Sequence, residues 1–158
     1  MQEYGYSVIM HGCNCHSTMG AGVALWVKTT FPEAYEADVD DPREPKDKLR
    51  GFTYARSRVD ETHDVLVFNL YTQLFYSHRS SKPKLFSMDA FEHSFREAQK
   101  KVLELDAEFQ EFGTKPKVLI PRIGAGLGGG DWFEIEDSIL RLLNPNIKLG
   151  VAIPTVVW

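Results

Sequence analysis

The stretch Tyr6-Ser7-Val8-Ile9-Met10-His11-Gly12-Cys13-Asn14-Cys15-His16-Ser17-Thr18-Met19-Gly20-Ala21-Gly22 decides the fold. Its first five residues are mostly apolar and partly β-branched, the pattern of a buried strand. Turn-forming residues from His11 to Gly22 end that strand. Val23, Trp26, Val27 and Phe31 then recur at helical spacing, so a helix runs from about Gly22 to Phe31 and stops or kinks at Pro32. A glycine loop between a strand and a helix N-terminus lets backbone N–H groups approach an anion, and the helix end adds partial positive charge. This is the outline of a phosphate cradle.

The same order returns near the other end of the chain. Lys117 to Pro121 reads as a strand, and Trp132 to Leu143 as a helix that stops before Pro145. Between them lies Pro121-Arg122-Ile123-Gly124-Ala125-Gly126-Leu127-Gly128-Gly129-Gly130-Asp131-Trp132. A loop that only had to turn needs fewer glycines, so this one predicts close backbone contact with a ligand. In the middle of the chain, Asp38 to Arg50 is charged, holds Pro42 and Pro45, and reads as a loop. Phe52–Arg56 and Val65–Tyr71 read as a hairpin across the polar turn Asp60 to Asp64. Phe91, Phe95, Ala98, Val102, Leu105 and Phe109 mark a long helix from about Asp89 to Phe112, with Ser87 as N-cap and Gly113 at its end. A last strand covers Lys148 to Ile153, extending toward Trp158. Strands alternating with helices, plus one hairpin, predict an α/β fold with a mixed sheet and helices on both faces. Both glycine loops then lie at the carboxyl ends of strands, where such sheets bind ligands.

Composition narrows the function. The 158 residues fit one domain. Eighteen basic against 22 acidic residues give a net charge of −4, which argues against binding nucleic acid by charge alone. No apolar run approaches the roughly 20 residues of a membrane span, and Met1 to Met10 lacks the features of a signal peptide. Two cysteines, Cys13 and Cys15, make no disulfide framework, so a cytoplasmic location is expected. His11, Cys13, Cys15 and His16 lack the distant second pair of a zinc site, so no metal is expected, and the cysteines read as small buried hydrophobes. Gly124, Gly126 and Gly129 fit G-x-G-x-x-G, but without the βαβ unit and acidic residue of a dinucleotide fold. The first loop lacks the G-K-[ST] ending of a P-loop.

His11 to Gly22 with its helix down to Pro32-Glu33-Ala34-Tyr35, then Asn69-Leu70-Tyr71-Thr72-Gln73, then Pro121 to Trp132 together resemble a macrodomain. The resemblance covers nearly the whole chain. It points to the branch of ADP-ribose-1″-phosphate phosphatases, terminal ADP-ribose protein glycohydrolase and DNA-ADP-ribose-removing antitoxins. It implies a three-layer α/β/α sandwich with a mixed central sheet, as one macrodomain over residues 1–158. It also implies a pocket for ADP-ribose or a derivative, with no cofactor, and an ADP-ribosylated protein as a further partner. The family usually has one more strand before the segment matching Tyr6 to Met10, and there is no room for it here. The resemblance places Asn14 at the distal ribose. It lays Gly12, Cys13, Met19, Gly20, Ala21, Gly22 and Val23 along the first loop, Thr72 and Gln73 after the middle strand, and Ile123, Gly124, Ala125, Gly126, Leu127 and Gly128 along the diphosphate. Relatives that work through a lysine carry it where Gln73 stands, and an amide forms no Schiff base.

Three residues are candidates for catalysis. His11 stands where many macrodomains have asparagine; its imidazole either moves a proton near the phosphate ester or hydrogen-bonds the loop. Asp131 either caps the helix that follows or activates water. Asn14 either fixes a ribose hydroxyl or closes an Asx turn. The expected function is hydrolysis at the distal ribose of an ADP-ribose derivative, foremost ADP-ribose 1″-phosphate to ADP-ribose and phosphate. The alternatives are a reader that binds ADP-ribose without turnover and a hydrolase that removes it from protein.

Overall fold

The computed structural model describes residues 8–61, 63–75, 85–109, 116–124 and 129–152. In chain order these form β1 (Val8–Asn14), α1 (Gly22–Thr30), α2 (Pro32–Asp40), α3 (Pro45–Lys48), β2 (Phe52–Arg58), β3 (Asp64–Gln73), α4 (Met88–Phe109), β4 (Lys117–Pro121), α5 (Trp132–Leu142) and β5 (Lys148–Ala152). The strands make one sheet in the order β2-β3-β1-β4-β5. β2 and β3 pair antiparallel as a hairpin, and every other pairing is parallel. The expected mixed sheet is present.

Alternation along the strands divides the core. Val8 and Met10 of β1 and Phe68 and Leu70 of β3 pack with Phe91, Phe95 and Ala98 of α4 and Ile135 and Ile139 of α5. Ile9, Val65 and Val67 face the other way, onto Val27 of α1, Phe31 at the junction and Ala34 of α2. Helices therefore cover both faces, giving three layers. Among the described residues no helix is long and apolar enough to cross a membrane.

Several boundaries differ from expectation. The first helix does stop before Pro32, as expected, but Pro32 also opens an unforeseen α2, where a first-turn proline lacks only an N–H that the helix leaves unbonded. The charged segment from Asp38 is the last turn of α2 and the short α3, not a continuous loop. β1 continues past Met10 to Asn14, because His11 pairs with Asn69 and Cys13 with Tyr71 in the ladder. Ser87 caps α4 as expected, its hydroxyl accepting from the Ala90 N–H at 3.2 Å. Tyr6, Gly113 and the extension beyond Ala152 lie outside the described residues.

Candidate functional site

β1 and β4 are parallel neighbours, yet their connections leave on opposite sides. The chain after β1 turns onto the α1–α2 face and the chain after β4 onto the α4–α5 face. Diverging loops at adjacent strand ends mark the topological switch point, the place whose crevice binds ligands in open α/β sheets. Asn14, Gln73 and Pro121 end the three strands beneath it.

The floor is tightly closed. A Cβ on Gly12 would lie 3.0 Å from Thr72 Oγ1 and 3.2 Å from Ile123 Cγ2, so no larger residue fits without movement. Thr72 is buried, and its carbonyl accepts from the Ser87 N–H at 2.8 Å. Ile123 belongs to the main core. Gln73 donates from Nε2 to the Phe75 carbonyl at 2.8 Å. Phe75 is exposed and stacks on His16 at 5.7 Å.

In the first loop, Asn14 Oδ1 accepts from the His16 N–H and Asn14 Nδ2 donates to Thr18 Oγ1, each at 2.7 Å. This is the Asx turn, and it points the carboxamide along the loop. Ser17 and Met19 take the left-handed conformation, with φ of 56° and 39°. The Met19 side chain plugs a buried pocket with Cys13, Cys15 and Tyr71, so only its backbone is available to a ligand. Gly20 and Ala21 are exposed, and Gly22 has φ 59°. Val23 packs against the α1–α2 core. No side chain caps α1.

His11 points away from the crevice. Its ring is fully buried, and Nε2 donates to Asn69 Oδ1 at 2.6 Å. From there hydrogen bonds run one way. Asn69 Nδ2 donates to Thr53 Oγ1 at 2.9 Å, Thr53 to the Tyr71 hydroxyl at 2.8 Å, and Tyr71 to Asp38 Oδ1 at 2.6 Å. Burial pushes the His11 pKa down to about 4, against the opposing pull of the Asn69 bond and the Asp38 charge. A neutral ring with no exposed edge has no route for proton exchange with a ligand. The geometry matches the second reading of His11, a ring held by hydrogen bonding.

Cys13 Sγ lies 3.6 Å from His11 Nε2, so Cys13, His11 and Asn69 have the composition of a nucleophilic triad. Burial drives the Cys13 thiol well above its ordinary pKa while lowering the imidazole, so neither group is activated. Burial also raises Cys15, to about 11.

The described ends of the second loop rest on apolar packing. Gly124 has φ 73°, and a Cβ there would lie 2.3 Å from the Phe86 ring. Gly130 donates its N–H to the Gly124 carbonyl at 2.7 Å, and a Cβ on it would meet that oxygen at 2.8 Å. These two glycines answer to Phe86 and to each other, so the glycine excess is partly internal. Asp131 is the N-cap of α5, its Oδ1 accepting from the Phe133 N–H at 2.9 Å. Arg122 lies over the Trp132 ring at 5.7 Å. Ala125, Gly126, Leu127 and Gly128 lie outside the described residues.

Sequence reasoning missed the polar chain and Phe86. Asn69 carried a signal, a polar residue inside a buried apolar strand. Asp38 and Lys48 carried none, standing among other charges.

No family model matches the chain. A 17.5 kDa protein from the tk-vs intergenic region of phage T4 is 36% identical over 148 residues, covering 91% of this chain and 84% of that one. An ADP-ribose 1″-phosphate phosphatase of Debaryomyces hansenii is 29% identical, covering 93% and 88%. A DNA ADP-ribosyl glycohydrolase of Thermus aquaticus is 27% identical, covering 89% of this chain but 35% of that longer protein. Among solved structures, the macrodomains of DarG from Mycobacterium tuberculosis and Thermus aquaticus both superpose with TM-scores of 0.68, at 18% and 20% identity. They cover 96% and 97% of this chain, and the chain covers 91% and 93% of theirs. Superposition on these macrodomains over nearly the whole chain shows that it has the macrodomain fold.

Proposed function

We propose that the chain binds ADP-ribose in the crevice between its two loops and hydrolyses a derivative at the distal ribose, with ADP-ribose 1″-phosphate as the favoured substrate. The observation that carries this reading is the pair of strand-to-helix glycine loops leaving adjacent parallel strands in opposite directions, the first entering a helix with no side-chain cap. Backbone donors at such a place suit a diphosphate, which reconciles anion binding with a net charge of −4. The phosphatase of D. hansenii, similar over 93% of the chain, supports the substrate.

The roles follow from placement. Asn14, at the end of β1, orients the distal ribose. Asp131 caps α5 through Oδ1 and has a second oxygen to orient the attacking water. His11 is assigned a structural part, holding Asn69 beneath the loop. A second reading, removal of ADP-ribose from a macromolecule, is favoured by the similarity to a DNA ADP-ribosyl glycohydrolase, and it brings DNA in beside modified protein.

One assay separates these. Phosphate release from ADP-ribose 1″-phosphate, and ADP-ribose release from modified DNA and modified protein, are measured beside ADP-ribose affinity. Asn14→Ala should lower turnover by about 100-fold, the cost of misplacing a reacting group by about 1 Å. Binding without any release makes the chain a reader; no binding at all sinks the proposal.

A further inference from the structure

A buried ion pair lies under the first loop, and the chemistry proposed above does not use it. Asp38 of α2 and Lys48 of α3 meet at 2.9 Å, with side chains 0% and 3% exposed. Removing two charges from water is costly, and apolar residues of similar volume often serve a fold as well or better. Among the described residues Asp38 Oδ2 also has no hydrogen-bond partner, which adds to that cost. Packing alone does not account for the pair.

Its contacts lead to the loop. Lys48 Nζ donates to Ser17 Oγ at 2.9 Å, while the Ser17 hydroxyl points at the Asp38 carbonyl and Oδ1, at 3.2 and 3.1 Å. Ser17 is thus held as donor and as acceptor, at a residue whose φ of 56° is unfavourable for any side chain. Next along the chain, Thr18 receives the Asn14 amide, and Met19 fills the pocket over Tyr71. Tyr71 donates to the same Asp38 oxygen, and its ring lies 4.6 Å from Lys48 Nζ.

We propose that Asp38 and Lys48 are positioning residues: through the Ser17 hydroxyl they fix the left-handed turn that sets the Asn14 carboxamide and the loop's backbone donors for the ligand. The proposal rests on the ADP-ribose reading of the crevice. Neither residue touches the ligand; a hydroxyl clamped between a carboxylate and an ammonium holds a strained turn in one geometry, which an apolar pair cannot do.

Ser17→Gly tests it while leaving the ion pair intact. Glycine relieves the backbone strain and removes the clamp but also loosens the turn, so Ser17→Ala, which lacks the hydroxyl without that added freedom, is measured beside it and should weaken binding to a similar degree. Amide exchange of residues 16–20, ADP-ribose affinity by calorimetry and the melting temperature are compared with wild type. Faster exchange at those amides and about tenfold weaker ADP-ribose binding, with melting within a few degrees of wild type, is the expected result. Unchanged affinity, with or without faster exchange, overturns the proposal. Wild type that does not bind ADP-ribose overturns the ligand reading instead; the exchange comparison alone then decides whether the pair holds the loop.

Discussion

The two loops at these adjacent strand ends are held in place by opposite means. The first is tied down by polar groups: the Asx turn at Asn14, the clamped hydroxyl of Ser17 and the buried Asp38–Lys48 pair. The second is seated on an aromatic ring, with Gly124 and Gly130 closed over Phe86. The helix after the first loop has no side-chain cap, whereas Asp131 caps the helix after the second. Polar anchoring is directional and fixes one geometry, but it depends on every partner being present. Apolar seating tolerates more and is limited by space alone.

The largest expected effect comes from breaking the polar anchor on one side. Lys48→Met leaves a lone buried carboxylate and should cost about 3–5 kcal/mol of stability, read from urea unfolding. Adding Asp38→Leu should restore most of it. A single variant as stable as wild type would show that the pair is not closed off from water.

The polar region should also be the acid-sensitive one. His11 has a folded pKa near 4, below its ordinary 6.5, because burial disfavours the imidazolium. Between those values the unfolded chain binds the extra proton. The contribution is therefore complete above about pH 6.5 and is lost as pH falls toward 4, about 3 kcal/mol in all. Melting of wild type and His11→Asn between about pH 7.5 and 4.5 checks this, and the variant should show the shallower fall. Equal slopes would mean that the ring exchanges protons freely when folded.

For the apolar anchor the break is steric. Gly124→Ala forces a side chain into a left-handed residue and onto Phe86, and should cost about 1–3 kcal/mol. Combining it with Phe86→Leu should relieve the clash and make the two changes less than additive. Strict additivity would separate the glycine from the ring.

The smallest effect tests the cap. Asp131→Ala should lower stability by about 1 kcal/mol. If turnover of ADP-ribose 1″-phosphate falls by 100-fold or more while melting moves by only a few degrees, Asp131 acts on water as well as on the helix.

The strands and helices were legible because their apolar residues recur at periods that follow from backbone geometry alone. Both loops were visible too, since glycines concentrated between a strand and a helix stand out in one dimension. Less local features were left open. The sequence placed His11 between proton transfer and a ring held by hydrogen bonds, and strand alternation turns it inward, to Asn69 58 residues away. Phe86 was anonymous, although it explains Gly124 and Gly130.

By itself, then, the sequence determined the layering, the mixed sheet and the two glycine loops between strand and helix, because each depends on short-range pattern and on element order. Tertiary structure alone decided which polar residues face inward, that Asp38 and Lys48 meet, and that His11 is neutral. Those outcomes depend on solvent exclusion and on side chains brought together from distant elements, and neither is encoded in any local run of residues.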